Sequence, residues 1–337
     1  MSTRTHARTH TLAIVDSKHG KEVDNRTFPA NAAGHARAAA WLARRTSDQA
    51  VLVSMEGTSS FGLTLKDYLV RGGYRVVHAR KPSRAARHVK GKSDQLDTLQ
   101  AARSTLPLPL DRLLEPKGGE IATALRALAT ARNSMSKQRT AAINALTALM
   151  RTSALGVDAR KPLTSSLVKT IAAWRTRREG LVASVQRAEA IRLAKQVTAL
   201  AEELASNAAQ STQLTASIAP TLLDLPGVGG VAAAVILGSW SHPGRIRNEA
   251  AFAALAGTCP LPASSGNTIR YRPNRSGDRR LNSAIHRIAI VRMRCDDRTK
   301  EYVKRRTKEG RTKKEIIRCL KRYITRELYR TLNRIGA

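Results

Sequence analysis

The chain is short of acid. Its 337 residues include 25 Asp and Glu against 59 Lys and Arg, a formal net charge of +34. Aromatics make up only 4%, there are three cysteines, and no stretch reaches the roughly 18 apolar residues that a membrane span needs. Each scarcity excludes something. So few aromatics argue against a large β-sandwich and suit helices rich in Ala, Leu and Arg. Cys259, Cys295 and Cys319 are odd in number, far apart and form no CxxC pair, so neither a disulfide framework nor a zinc site is expected. The first ten residues, MSTRTHARTH, are basic but precede no apolar segment with a small-residue cleavage site, so they are not read as a signal peptide. A cytoplasmic protein without a membrane partner is expected. Its charge calls for a polyanion. With no amphipathic anchor or lipidation signal, that polyanion is nucleic acid rather than an acidic membrane.

What the sequence does have is core material, with 42% hydrophobic residues, enough to exclude a disordered polycation. Three regions are expected: 1–112, 113–218 and 219–337. The first alternates strand and helix signals. Strands are predicted at 11–15, ending at Asp16, at 22–29 (one or two), at 49–55, ending at Glu56, and at 75–79. Helices are predicted at 32–45, capped by Asn31, at 61–70, stopped by Gly72-Gly73, and at 93–103. The fold class is therefore α/β followed by α. In the middle region Ile121, Leu125, Leu128, then Ile143, Leu146, Leu149, Met150, and later Leu193, Val197, Leu200, Leu204 recur at spacings of three and four. They predict two long amphipathic helices with a shorter one at 163–174, packed as an antiparallel coiled coil and serving as spacer or dimerisation arm. The third region opens with LLDLPGVGGVAAAVILGSW, passes through a Gly/Ser/Pro-rich loop at 260–277, and ends in helices dense in Lys and Arg over 304–330. Their outer face is expected to meet phosphates.

Several residues are candidates for chemistry. Asp16 and Glu56 end strands, and Asp94 and Asp97 lie three apart on one helix face. Four carboxylates around one point repel one another unless cations fill the space, and Mg²⁺ (or Mn²⁺) suits such hard oxygen ligands. Two such ions clamp the attacking and leaving oxygens of a phosphodiester. The plainer alternative makes Glu56 a turn acid and Asp97 a surface residue. In Leu225 to Gly230 (LPGVGG), Gly227 and Gly229 permit a tight turn that exposes backbone N–H groups at a helix start. This is either a helix-hairpin-helix grip on the DNA backbone or a simple interhelical turn. It is not a P-loop, because no Gly-Lys-Ser/Thr follows. Ser264-Ser265-Gly266 sits among Arg270, Arg272, Arg275, Arg279 and Arg280. It is either ordinary loop composition or a serine nucleophile whose arginines stabilise a pentavalent phosphate. His286 is read as a structural helix residue before a base.

The order of strand-Asp16, Glu56-Gly-Thr, Lys92-Ser-Asp94-Gln-Leu-Asp97, a long helical insert, Leu225-Pro-Gly-Val-Gly, Ala253-Ala-Leu-Ala-Gly257 and Ser265-Gly266 resembles the DEDD transposases of the bacterial insertion-sequence one-hundred-and-ten family. The resemblance runs from about Leu12 to Leu332. It implies an N-terminal RuvC-like domain of ribonuclease H fold, a coiled-coil insert and a C-terminal transposase domain carrying a catalytic serine. It also implies a recombinase that cuts and rejoins target and donor DNA, guided by a structured bridge RNA from its own element. Carried over, Asp16, Glu56, Asp94 and Asp97 hold Mg²⁺ or Mn²⁺, and Ser265, the serine that directly precedes Gly266, forms a phosphoserine link to DNA. The implied partners are DNA, bridge RNA and further copies of the chain in a dimer or tetramer, close to the nucleoid. With four acids and the serine present, the chain is expected to be complete and active. Departures are the Ala13-Ile-Val-Asp16-Ser start and the divergent NTIRYRPNRSGDRRLN after Gly266.

Two other readings compete. A RuvC-like, metal-dependent, structure-specific nuclease needs the acids but no serine. A non-catalytic nucleic-acid-binding protein needs only the basic surface and the hairpin motif.

Overall fold

The computed structural model describes residues 1–46, 50–79, 93–266, 268 and 271–335. The chain forms two compact units: Met1–Gly118 with Gly244–Ile246, and Gly119–Pro243 with Arg247–Ala337.

The first unit is mixed α/β. In chain order it contains β1 (Ser2–Thr5), β2 (Thr9–Val15), β3 (Glu22–Pro29), α1 (Ala32–Thr46), β4 (Leu52–Met55), α2 (Leu63–Arg71), β5 (Arg75–His78) and α3 (Asp94–Thr105). The sheet order is β3-β2-β1-β4-β5. The β1–β2 and β2–β3 pairs are antiparallel, and the β1–β4 and β4–β5 pairs are parallel. The strand and helix signals of the sequence fall on β2 to β5 and α1 to α3. Local chemistry sets the helix starts: Asn31 Oδ1 accepts the Gly34 N–H (2.8 Å), and Ser93 Oγ accepts the Leu96 N–H (3.2 Å), as N-caps do.

One element departs from the sequence reading, which begins the sheet at residue 11. Ser2–Thr5 is a strand, and it occupies the centre of the sheet. With no apolar residue in Ser-Thr-Arg-Thr, the alternating signal is missing. Pairing on both edges, to β2 and β4, supplies what the strand's own sequence lacks.

The two sheet faces differ. Leu12, Ile14, Val53, Met55 and Val76 pack with Phe28 against Trp41 and Leu42 of α1 and Leu65 and Leu69 of α2. Alternation along each strand sends Ala13 and Ser54 to the opposite face. Ser2 pairs with both of these, so Ser2 and Arg4 share that second face, and α3 packs against β1 and β2 there.

The second unit is mainly helical: α4 (Glu120–Thr152), α5 (Ser165–Ala172), α6 (Leu181–Ile218), α7 (Pro220–Leu223), α8 (Gly230–Trp240), α9 (Glu249–Leu255), the short strands β6 (Pro260–Pro262) and β7 (Tyr271–Pro273), α10 (Arg279–Cys295), α11 (Asp297–Lys308) and α12 (Lys313–Asn333). Helices α4 and α6 run antiparallel. Arg132 donates to the Leu204 carbonyl (2.7 Å) and Asn207 to the Leu128 carbonyl (3.1 Å). Further along, Ala142, Leu146 and Met150 meet Ala190, Ala194 and Val197, closed off by Val168 and Ile171 of α5. Helix α8 approaches α6 so closely that a Cβ on Gly230 would lie 2.0 Å from Thr212 Oγ1. Among the described residues no helix is long and apolar enough to cross a membrane.

Candidate functional sites

In the first unit the strand register builds the site. Ser2 and Thr3 pair with Ser54 and Met55, and continuing the register by one residue sets Arg4 beside Glu56. The Glu56 N–H donates to the Thr3 carbonyl (3.1 Å) and Thr5 Oγ1 donates to the Glu56 carbonyl (3.1 Å). Gly57 follows in the left-handed region at φ 65°, where a Cβ would come within 2.4 Å of Thr5 Oγ1. Glycine at position 57 is thus a requirement of this strand end. The first turn of α3 brings Asp94 and Asp97 to the same edge. Arg4 bridges both: its Nε lies 3.5 Å from Asp94, and its Nη1 forms an ion pair with Asp97. His6 Nε2 lies 3.2 Å from the other Asp94 oxygen. Arg4 and His6 are site residues that the sequence reading passed over, because Ser2–Thr5 and the turn that follows it carried no signal.

Asp16 does not join this group, which corrects the expectation of four acids around one point. Arg4 pairs with Thr11 on β2, and Asp16 lies five residues further along, roughly 15 Å away at strand rise. It belongs to the β2–β3 turn instead. Its carboxylate accepts the His19 N–H (2.9 Å) and contacts His19 Nδ1 (3.0 Å), while its backbone bonds with Gly20 and Lys21. These hydrogen bonds, the backbone one first, hold its carboxyl below the usual range.

Acid side chains such as Glu56, Asp94 and Asp97 are chemically suited to a divalent cation. In this arrangement they do not fit one, because a guanidinium already engages oxygens of both aspartates. Among the described residues no group of three or more His, Cys, Asp or Glu side chains is placed to hold a metal ion.

The second unit holds a cavity of about 1000 Å³. Arg272, Arg275 and Arg279 line it from the loop region, and Arg306, Arg318, Lys321, Arg322 and Arg326 from α11 and α12. Among the described residues Glu315 is the one carboxylate on its wall. Part of this charge is matched, since Arg322 and Arg326 both pair with Glu249 (2.8 and 3.0 Å). Lys321 donates to Asn282 Oδ1 (2.6 Å), and burial pulls its ammonium below its ordinary pKa. His286, which the sequence suggests is a structural helix residue, is exposed on this wall. Strands β6 and β7 contribute Pro260, Tyr271 and Pro273 to the same wall. The hairpin they form carries Ser265 near its tip. Ser265 and Thr268 exchange two backbone hydrogen bonds (3.3 and 3.2 Å), and Gly266 turns the chain at φ 55°. Ser264 and Ser265 are exposed. Arg270 lies outside the described residues.

The Leu225–Gly230 turn divides its glycines by role. Gly227 sits at φ 73°, where a Cβ would meet the Ile288 carbonyl of α10 at 3.2 Å, so it faces the packed interior. Gly229 faces open space, on a second cavity of about 660 Å³ that Arg287 also lines.

Two family models match the chain. Residues 5–154 match the IS110-type DEDD family described as "Transposase". Residues 219–304 match the "Transposase IS116/IS110/IS902 family". The chain is similar to the "Insertion element IS110 uncharacterized 43.6 kDa protein" of Streptomyces coelicolor, with 31% identity over 134 residues. That match takes in 39% of this chain and 33% of the relative, so the chain spans about a third of the relative's length.

Proposed function

The chain belongs to the IS110 family of transposases, and from that premise we propose that it acts on DNA as the transposase of an insertion sequence, cutting and rejoining strands through Ser265. The observation that carries this reading is the arginine-lined cavity whose wall continues into the hairpin presenting Ser265. Cationic forks suit phosphate oxygens bidentately, and a hydroxyl held at an exposed hairpin tip is open to a backbone phosphate. In the step, Ser265 Oγ forms a bond to phosphorus as the phosphorus–oxygen bond to the departing strand breaks. The serine proton passes to a base, and the departing oxygen takes up a proton. The reverse step, with a new strand end as nucleophile, restores the serine and joins DNA without an external energy source. Arg272, Arg275 and Arg279 are proposed to stabilise the charge that builds on the phosphate.

The finer parts of the reading go with it. The first unit is taken as a RuvC-like domain, the α4–α6 pair as a coiled-coil arm, and Leu225–Gly230 as a helix-hairpin-helix element offering the Gly229 backbone to phosphate. The partners are DNA, a bridge RNA and further copies of the chain. Self-association is supported by Leu181, Val182 and Val185, exposed together at the start of α6.

The test is a trapping experiment. Full-length protein, with bridge RNA and a nicked target that prevents religation, is examined by mass spectrometry. A DNA adduct on Ser265, lost in Ser265→Ala and retained in Ser264→Ala, is expected. An adduct on another residue, free hydrolysed ends or uncut DNA would overturn the serine assignment. Hydrolysed ends would point to a nuclease, and uncut but bound DNA to a binding protein.

A further inference from the structure

We propose that Arg4 is a built-in counter-ion standing between Asp94 and Asp97, beside the strand end that carries Glu56, where a divalent metal would otherwise neutralise the two aspartates, so that the first unit keeps its acid pair folded without binding Mg²⁺ or Mn²⁺. The proposal concerns the first unit alone and does not depend on Ser265.

Three independent features place Arg4 there. Strand alternation and the pairing of Ser2 with Ala13 and Ser54 turn Arg4 to the face that carries α3. The parallel register sets it next to Glu56. Its guanidinium then reaches two carboxylates that stand three residues apart on α3. Arg4 is at the centre of the sheet, with neighbours on both sides, so its backbone is fixed and the side chain has a short range of positions. Only about a fifth of it is exposed.

The chemistry of the two cations explains the consequence. Neighbouring carboxylates need a positive charge between them, and either a metal or a guanidinium supplies it. A guanidinium stays charged at every pH the protein meets and presents several N–H donors in a rigid fork. It engages one oxygen of each aspartate that a metal would need as a ligand, and its own charge repels a second cation. Asp16, the remaining acid in the sequence pattern, is held in the β2–β3 turn and cannot offset this. Removing the guanidinium while adding a carboxylate at position 4 reverses both terms at once, giving four acids and no internal cation.

The experiment uses the full chain, free of nucleic acid, and counts bound Mn²⁺ by electron paramagnetic resonance. Wild-type protein is expected to show no Mn²⁺ binding that Asp97→Asn removes, and no shift of its melting temperature with Mg²⁺ or EDTA. Arg4→Asp is expected to gain a Mn²⁺ site at least about tenfold tighter than anything in the wild type, a loss or gain typical of altering a metal's protein environment. Adding Asp97→Asn to Arg4→Asp should abolish that site. Should Arg4→Asp fail to fold, Arg4→Gln, which removes the charge and keeps the length, takes its place: Mn²⁺ should raise its melting temperature. Wild-type Mn²⁺ binding that disappears in Asp97→Asn would overturn the proposal. So would a folded Arg4→Asp or Arg4→Gln that gains no metal response.

Discussion

The rings of His10 and His35 stack 5.3 Å apart at an interplanar angle of 19°, joining the second strand to the first helix inside the first unit. Both are buried. Burial first, and then the charge of His35, push His10 down to about 4, and burial lowers His35 as well. An unfolded histidine takes up its proton near pH 6.5. Between that pH and about 4 the unfolded chain therefore binds more protons than the folded one, and stability falls as pH drops through this window. For His10 the loss amounts to about 3 kcal/mol. Urea unfolding of wild type and His10→Gln at pH 7 and pH 5 should show a smaller pH effect in the variant. Equal effects would mean that His10 takes up its proton at the same pH in the folded and the unfolded chain.

Gly230 tolerates no side chain. A Cβ there would lie 2.0 Å from Thr212 Oγ1 and 2.6 Å from its Cα, so the helices must separate. Gly230→Ala should cost about 2 kcal/mol, in the range of overpacked cores. Gly229→Ala, which meets nothing within 4 Å, should be close to neutral. Thermal melts of the two variants check the contrast.

Arg292 fastens the Leu225–Gly230 turn to α10. Its Nε donates to the Pro226 carbonyl (2.7 Å) and its Nη1 pairs with Glu327 (2.7 Å). Arg292→Ala should lower stability by about 2 kcal/mol, less than a fully buried pair costs because Glu327 is partly exposed. Chemical denaturation measures the loss, and Arg292→Lys should recover only part of it, since lysine lacks the fork.

The cavity arginines are proposed to act through phosphate. Binding of a short DNA duplex should weaken as salt rises, with log K linear in log salt. Arg275→Ala combined with Arg279→Ala should weaken binding to all sequences alike and reduce the slope by about 2, one counterion per contact. A double variant with an unchanged slope would place these side chains away from DNA.

Asp16 and Asp97 should behave differently although the sequence pattern groups them. Asp16→Asn keeps an acceptor oxygen for the His19 N–H and should leave stability and DNA binding close to wild type. Asp97→Asn removes the charge paired with Arg4 and should lower the melting temperature. Circular dichroism melts distinguish the two.

The sequence by itself determined a good deal. The charge of +34 pointed to a polyanionic partner. Spacings of three and four along 121–204 dictated the long helices, now seen as α4 and α6. Strands β2 to β5 and the cap at Asn31 were legible because apolar alternation and capping chemistry act over a few residues. The closeness of Asp94 and Asp97 was legible for the same reason, being one helical turn. The tertiary structure alone decided the rest. Ser2–Thr5 becomes the central strand only through pairing on both sides, and that pairing places Arg4 against Asp94 and Asp97. The antiparallel β1–β2 step carries Asp16 to the far end of the sheet. The packing of α10 to α12 gathers arginines from positions 272 to 326 around one cavity. Local propensity fixes what most segments become, Ser2–Thr5 excepted. Which charges meet depends on strand register and helix packing, and those are set by partners distant in the chain.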